Sequence, residues 1–318
     1  KALNDTNRAV RLRAAAALSK LIVIHTRVDP LFQELHTGVK NADDAAIRDT
    51  MLQALRGCIS GAGAKISDLI RRQMVSSLEG YLTVSEDTTR TTAAACLGAF
   101  CACLPQDDLT AFLINQLLDT DPSQDWTLRH GRAVALYIAL KEAPKRILES
   151  DLRDKVLKAI HVYTTADRIP LCLSGLRCIG FLCRYNIQND EPLSKDLLLD
   201  LAKCLKHESN DVKQLVSQVV TYVAKSSAKP LDSEVIKSLV PMLVMGTKEK
   251  NTAVRSYSES ALVALLKLRD GNDVMQSCLN KLEPGMRDSL NEVTNKALNK
   301  LASQPDIGEE DIDDTILV

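Results

Sequence analysis

Val10-Arg11-Leu12-Arg13-Ala14-Ala15-Ala16-Ala17-Leu18-Ser19-Lys20-Leu21 opens a pattern that the chain repeats six more times. A copy has an acidic or amide residue, then an aliphatic residue or Thr, then a base, replaced by Pro170 in the fifth, with small or apolar residues three and six positions further on. The anchors are Val10-Arg11, Ile47-Arg48, Thr89-Arg90, Leu128-Arg129, Ile169-Pro170, Val212-Lys213 and Val254-Arg255, so successive copies lie 37 to 43 residues apart. A fixed period of this length predicts a stack of supersecondary units, each resting on its neighbours, in place of one globular core.

Within a copy the spacing is helical. From Val10 the apolar or small positions are Ala14, Ala17, Leu18 and Leu21, which line one face of an α-helix. The same stripe recurs at Ile47, Met51, Ala54 and Leu55, at Val212, Val216, Val219 and Val220, and at Val254, Ala261, Leu262 and Leu265. These segments are read as the second helices of hairpins. First helices follow helix-start signals at Asp29-Pro30, Ser67-Asp68, Pro105-Gln106, Ser150-Asp151, Ser194 and Asp232-Ser233, where a side-chain oxygen can satisfy an orphaned amide or a proline fits the first turn. Pro170 and Pro284 also suit first turns.

The expected fold class is therefore all-α, an α-solenoid of about seven hairpins preceded by one leading helix, wound as a superhelical array. The leading helix spans 3–25 and the hairpins 28–60, 65–104, 106–142, 150–185, 193–225, 232–268 and 272–303. Residues 1–303 form the array, the C-terminal part of a longer solenoid continued upstream, and 304–318 an acidic, flexible tail. A unit of this size is too small to bury its own core and must lean on its neighbours.

Composition narrows the chemistry. Aromatic residues make up only 3% of the chain, which suits closely packed helices better than strands or stacking platforms for bases. The formal net charge is −1, but Asp306, Glu309, Glu310, Asp311, Asp313 and Asp314 lie in a tail without a base, which leaves the body at +5. That is mild for a dedicated nucleic-acid binder. Nine cysteines sit at apolar helical positions without disulfide-framework or metal-ligand spacing, and are read as reduced, buried thiols in a cytoplasmic protein. No apolar run is long enough to span a bilayer. Gly61-Ala62-Gly63-Ala64 is the nearest approach to a phosphate loop, lacks the Lys-Ser/Thr ending, and is read as a turn inside a hairpin. Five scattered histidines build no nucleophile–base signature. No enzyme, cofactor or metal site is expected.

Two groups of polar residues stand out. Acids precede the anchor bases, and Asp44, Arg48, Asp87, Arg90, Asp125, Arg129, Asp211, Lys213 and Arg255 are expected to pair between successive repeats as an Asp–Arg ladder, interrupted at Pro170. The stretch Asp125-Trp126-Thr127-Leu128-Arg129-His130-Gly131-Arg132 holds the only Trp, and Trp126, Arg129, His130 and Arg132 are the candidate partner contact. The alternative role for the same stretch is stapling the entry of its helix.

Hairpins of this length with an Asp, then Val-Arg, then Ala and Ala-Leu resemble HEAT repeats over nearly the whole chain. More particular strings are Asp125 to Arg132, Thr165-Ala166-Asp167-Arg168-Ile169-Pro170, Lys250-Asn251-Thr252-Ala253-Val254-Arg255-Ser256-Tyr257-Ser258 and Asp313-Asp314-Thr315-Ile316-Leu317. These resemble the C-terminal region of the general control non-derepressible 1 family of very large HEAT-repeat proteins. The resemblance implies a non-enzymatic, ribosome-associated scaffold that activates the initiation factor 2 alpha kinase when amino acids run short or ribosomes collide. It implies ribosomes and RWD-domain proteins, including that kinase, as partners, with the main kinase-binding segment upstream of this region. Two other readings stay open: a generic HEAT-repeat protein-binding scaffold, and direct binding of ribosomal RNA.

Overall fold

The computed structural model describes residues 2–189, 193–227 and 231–266, with scattered positions between 284 and 296. The expected seventh hairpin, 272–303, lies almost wholly outside the described residues, and so does the tail 304–318. Among the described residues the chain is all-α, without a strand. Its contacts divide it into two compact units, residues 1–159 and 160–318.

The first unit opens with α1 (Arg8–Leu21), followed by hairpins α2 (Asp29–Asn41)/α3 (Ala45–Ala62), α4 (Asp68–Gly80)/α5 (Asp87–Phe100) and α6 (Gln106–Phe112)/α7 (Trp126–Glu142). Here α6 runs on into a π-helical turn, Leu113–Leu117, and α7 is followed by a short α8 (Pro144–Leu148); neither was legible in the periodicity. Helix α9 (Arg153–Thr164) straddles the division. The second unit continues with α10 (Ile169–Asn189), α11 (Lys195–Cys204)/α12 (Asn210–Ser226) and α13 (Ser233–Gly246)/α14 (Thr252–Leu266).

Second helices form a layer in each unit: α1 packs on α3, α3 on α5 and α5 on α7, and separately α10 on α12 and α12 on α14. First helices back this layer, α2 against α3 and α4, α11 against α12 and α13. The core lies between the layers, and the predicted stripes face it. Met51, Ala54 and Leu55, then Val212, Val216, Val219 and Val220, then Val254, Ala261, Leu262 and Leu265 are all buried. The stripe read from Val10 is the exception: Val10, Ala17 and Leu21 are exposed, and only Arg11 and Ala15 of α1 are buried. Among the described residues, α1 packs in the layer against α3.

Local chemistry sets the helix starts. Asn7, Asp44, Asp125 and Asp232 cap α1, α3, α7 and α13 by accepting the amides of Ala9, Ile47, Thr127 and Glu234. Asn251 accepts from both Ala253 and Val254 at the head of α14. Ser67 and Ser194 hold cap positions but make no side-chain capping bond. The amide of Ser67 is bound by Asp29 Oδ1 at 3.0 Å, which ties two successive first helices together. Gly61 and Ala62 end α3, and Gly63–Lys65 form a 3-10 turn, so this stretch joins two hairpins and does not lie inside one.

Gly80 ends α4 with φ −60° and ψ −25°, and a Cβ there would meet nothing within 4 Å. Alanine fits this backbone without strain and narrows the unfolded ensemble. Gly80→Ala is expected to stabilise the protein by about 0.4–1 kcal/mol, seen as a raised melting temperature with unchanged helical circular dichroism.

Candidate functional site at the heads of the second helices

In four repeats the recurring base serves the turn in front of its own helix. Arg11 Nη1 donates to the carbonyls of Asp5 (2.8 Å) and Thr6 (3.1 Å). Arg48 Nη2 reaches Ala42 O at 2.6 Å, Arg90 Nη1 reaches Val84 O (2.8 Å) and Ser85 O (3.2 Å), and Arg255 Nη1 reaches Glu249 O (2.8 Å) and Lys250 O (2.9 Å). The acceptors lie five and six residues upstream of Arg11, Arg90 and Arg255, and six upstream of Arg48. A turn that swings the chain from one helix into the next leaves carbonyls outside any helical ladder, and a guanidinium can take two of them at once.

This arrangement replaces the expected Asp–Arg ladder between repeats. Asp44 and Asp125 spend their side chains capping their own helices. Asp87 pairs with Arg90 three residues on in the same helix. Asp211 lies exposed in the first turn of α12, where the helix dipole favours an acid. Lys213 alone among the anchor bases forms an ion pair with the next hairpin, through Glu249. The short reach from Asp to Arg along one helix, and the demand of the unpaired turn carbonyls, outweigh pairing across repeats.

Successive repeats are joined by other groups. Thr89 Oγ1 donates to Asp49 Oδ1 at 2.6 Å, and Arg11 Nε to Thr50 Oγ1 at 3.4 Å. At the opposite ends of the second helices a base one period later takes terminal carbonyls: Lys65 Nζ binds Val23 O (2.8 Å) and His25 O (3.3 Å), and Arg146 binds Cys101 O (2.9 Å) and Leu104 O. Cations at helix C-termini complement both the orphan carbonyls and the dipole. Neither Lys65 nor Arg146 lies in the anchor motif, so nothing in the repeat pointed to them.

The stretch around Trp126 is the densest polar centre. Arg90 is 1% exposed; its Cζ lies 5.2 Å from the centroid of the Trp126 ring, and its Nη2 lies 3.3 Å from His130 Nδ1. Trp126 and His130 stack at 6.3 Å with 22° between their planes. Arg132, one turn along α7, takes the carbonyl of Asp119 (3.1 Å), its carboxylate (3.2 Å) and the Gln124 side-chain oxygen. It therefore braces the turn of the fourth repeat, the task that Arg11, Arg48, Arg90 and Arg255 perform in theirs. The Asp119 carboxyl is held below its ordinary range, first by the Gln124 amide. Asp125 is lowered likewise by the Thr127 hydroxyl and amide.

The four expected contact residues thus split. His130 and Arg132 are buried and bonded inside, so they present no face to a partner. Trp126 and Arg129 are half-buried. Among the described residues, no group of three or more His, Cys, Asp or Glu side chains could hold a metal ion. No described helix is long and apolar enough to cross a membrane.

Comparison with known proteins places this architecture. Residues 29–316 match the family model of stalled ribosome sensor GCN1-like HEAT repeats. All 318 residues align at 45% identity with the human protein named stalled ribosome sensor GCN1, over 12% of its length. The Saccharomyces cerevisiae protein named eIF-2-alpha kinase activator GCN1 is 29% identical over 294 residues, 86% of this chain and 11% of its own length. The chain thus spans about one eighth of the curated relatives it matches. The fold is also that of Kap95p in complex with RanGDP (TM-score 0.65, 14% identity, 95% of this chain and 41% of that one). A Kap121p mutant gives 0.64 at 15% identity, over 99% of this chain and 36% of its own. With residues 29–316 matched by that family model and its whole length aligned, this chain is an all-α HEAT solenoid that belongs to the stalled ribosome sensor GCN1-like family.

Proposed function

We propose that this chain is a non-catalytic scaffold segment of a cytoplasmic stalled-ribosome sensor that activates the eIF-2-alpha kinase. The observation that carries the reading is the alignment of every residue with the human stalled ribosome sensor GCN1. Ribosomes and RWD-domain proteins, the kinase among them, are the partners proposed for the protein of which this chain forms a segment. A layer of second helices whose polar groups are spent on bracing their own turns suits a rigid support. Of the contact group around Trp126, only Trp126 and Arg129 keep a solvent edge, so the contact reading for that stretch rests on them.

The test is cross-linking of the protein to purified ribosomes and to RWD-domain proteins in parallel, at low and physiological salt. Cross-links to a ribosomal protein or an RWD domain that persist at physiological salt are the expected result. Cross-links to ribosomal RNA alone, falling steeply with salt as released counterions dictate, would instead make the chain a phosphate binder. Failure to link to either partner overturns the scaffold reading for this segment.

A further inference from the structure

The fifth second helix is the one whose anchor position holds no base. Pro170 stands where the anchor base would be, and the turn carbonyl six residues upstream belongs to Thr164. No guanidinium comes from position 170 to take it. The thiol of Cys204, the last residue of α11, donates to Thr164 O at 3.4 Å. Cys204 Sγ also lies 3.9 Å from Cys172 Sγ, in the first turn of α10. The joint is tight: a Cβ on Gly175 would come within 2.4 Å of the Thr164 amide nitrogen. An anchor base has been exchanged for a pair of facing thiols.

The other described cysteines are set differently. Burial pushes Cys58 up to about 11 and Cys96, Cys101 and Cys183 up to about 12, where they are protonated and inert. Cys172 moves the opposite way. With both thiols protonated, hydrogen bonds run from Cys172 to Cys204 and from Cys204 to the Thr164 carbonyl. Once Cys172 loses its proton, the single Cys204 proton can turn to the new thiolate. That bond holds Cys172 below the usual thiol range, while the same bond and burial raise Cys204.

We propose that Cys172 and Cys204 form a redox modification site, at which a peroxide oxidant converts the facing thiols to a disulfide that ties α10 to α11. The Cys172 thiolate attacks one oxygen of hydrogen peroxide; the O–O bond breaks, and with one proton taken up the products are a Cys172 sulfenic acid and water. Cys204 sulfur then attacks the sulfenic sulfur, the S–O bond breaks, and the departing hydroxyl leaves as water with the Cys204 proton. Two thiols and one peroxide give one disulfide and two waters, the thiols losing the two electrons that the peroxide gains. Both sulfurs are nearly buried, at 1% and 5% residue exposure. Cys204, however, ends a ten-residue helix, and helix ends open locally at low cost. Oxidation withdraws the Cys204 proton from the Thr164 carbonyl, so the turn at the head of α10 loses its brace when the cross-link forms.

The experiment treats the folded protein with hydrogen peroxide, alkylates remaining thiols, and maps disulfides by mass spectrometry without reduction. The expected product is a Cys172–Cys204 linked peptide that dithiothreitol reverses. Cys204→Ser should keep the helical circular dichroism and leave Cys172 trapped by dimedone as a sulfenic acid; Cys172→Ser should give neither link nor dimedone adduct at this joint. Both cysteines remaining alkylatable after peroxide treatment would overturn the proposal, as would a link that forms only in urea. Dimedone labelling of Cys204 in Cys172→Ser would overturn the assignment of the attacking sulfur.

Discussion

Arg90→Ala is expected to lower the stability of the first unit by about 3 kcal/mol, the sum of lost charge-assisted hydrogen bonds and a cation–π contact after relaxation. Arg90 is the most deeply buried anchor base, 1% exposed, and it holds Val84 O and Ser85 O, the Asp87 carboxylate, His130 Nδ1 and the Trp126 face. Alanine leaves two turn carbonyls without their donors and opens a space between α5 and α7. For a unit of this size the loss corresponds to a fall in melting temperature of about 6–12 °C. Arg90→Lys should recover less than half, because one ammonium cannot span two carbonyls, a carboxylate and an indole in the geometry of a planar fork. Arg255→Ala makes the internal comparison. Arg255 holds two carbonyls in the same way but is only half-buried, so its loss should cost about 1 kcal/mol. Asp87→Asn should be milder still, since Asp87 is 69% exposed and water can replace it. Equal melting of Arg90→Lys and the parent protein would show that charge alone holds the joint.

The period of the anchor motif revealed the hairpins because it records burial. An apolar side chain every third or fourth position has no other use in a helix this polar, and the Val212 and Val254 stripes face the core as their spacing requires. The partners of the anchor bases were not legible. Asp and Arg adjacent in sequence fit a ladder between repeats and a brace within one repeat equally well. Which one forms depends on the carbonyls that the turn leaves unpaired, and backbone groups leave no trace in side-chain identity. The offset of five or six residues that Arg11, Arg48, Arg90 and Arg255 keep from their acceptors shows only once the bonds are seen. The burial of His130 and Arg132 was hidden for a related reason. Trp and Arg are favoured in binding surfaces and in buried joints alike, and only packing tells the two apart. The thiol pair was hidden because Cys172 and Cys204 lie on helices of different hairpins, so no spacing in the chain announces it.

Gly98→Val is expected to be the most damaging single change in the first unit, at about 4 kcal/mol or more, beyond the usual cost of one overpacked methyl group. Helices α5 and α7 pack on each other, and both are rich in small buried residues: Ala93, Ala94, Ala95 and Ala99 in α5, Ala133, Ala135 and Ala139 in α7. At the crossing itself a Cβ on Gly98 would lie 2.6 Å from Ala135 O, 2.6 Å from Ile138 Cβ and 2.8 Å from Ile138 Cγ2. The carbonyl belongs to the backbone of α7 and cannot rotate away, so any side chain must force the two helices apart. That motion would also disturb the Arg90, Trp126 and His130 joint at the head of the same pair. Gly98→Ala should still destabilise, by about 1–2 kcal/mol, because the clash exceeds the roughly 1 kcal/mol that alanine gains over glycine in a helix. A double-mutant cycle separates the two obstacles. Ile138→Gly removes both the Cβ and the Cγ2 of Ile138 but not the Ala135 carbonyl, so Gly98→Ala should remain costly in that background. If the cost of Gly98→Ala vanishes there, the side chain of Ile138 sets the distance between α5 and α7. If most of it persists, backbone contact sets that distance, and the spacing of the layer at this crossing is fixed by the absence of a Cβ.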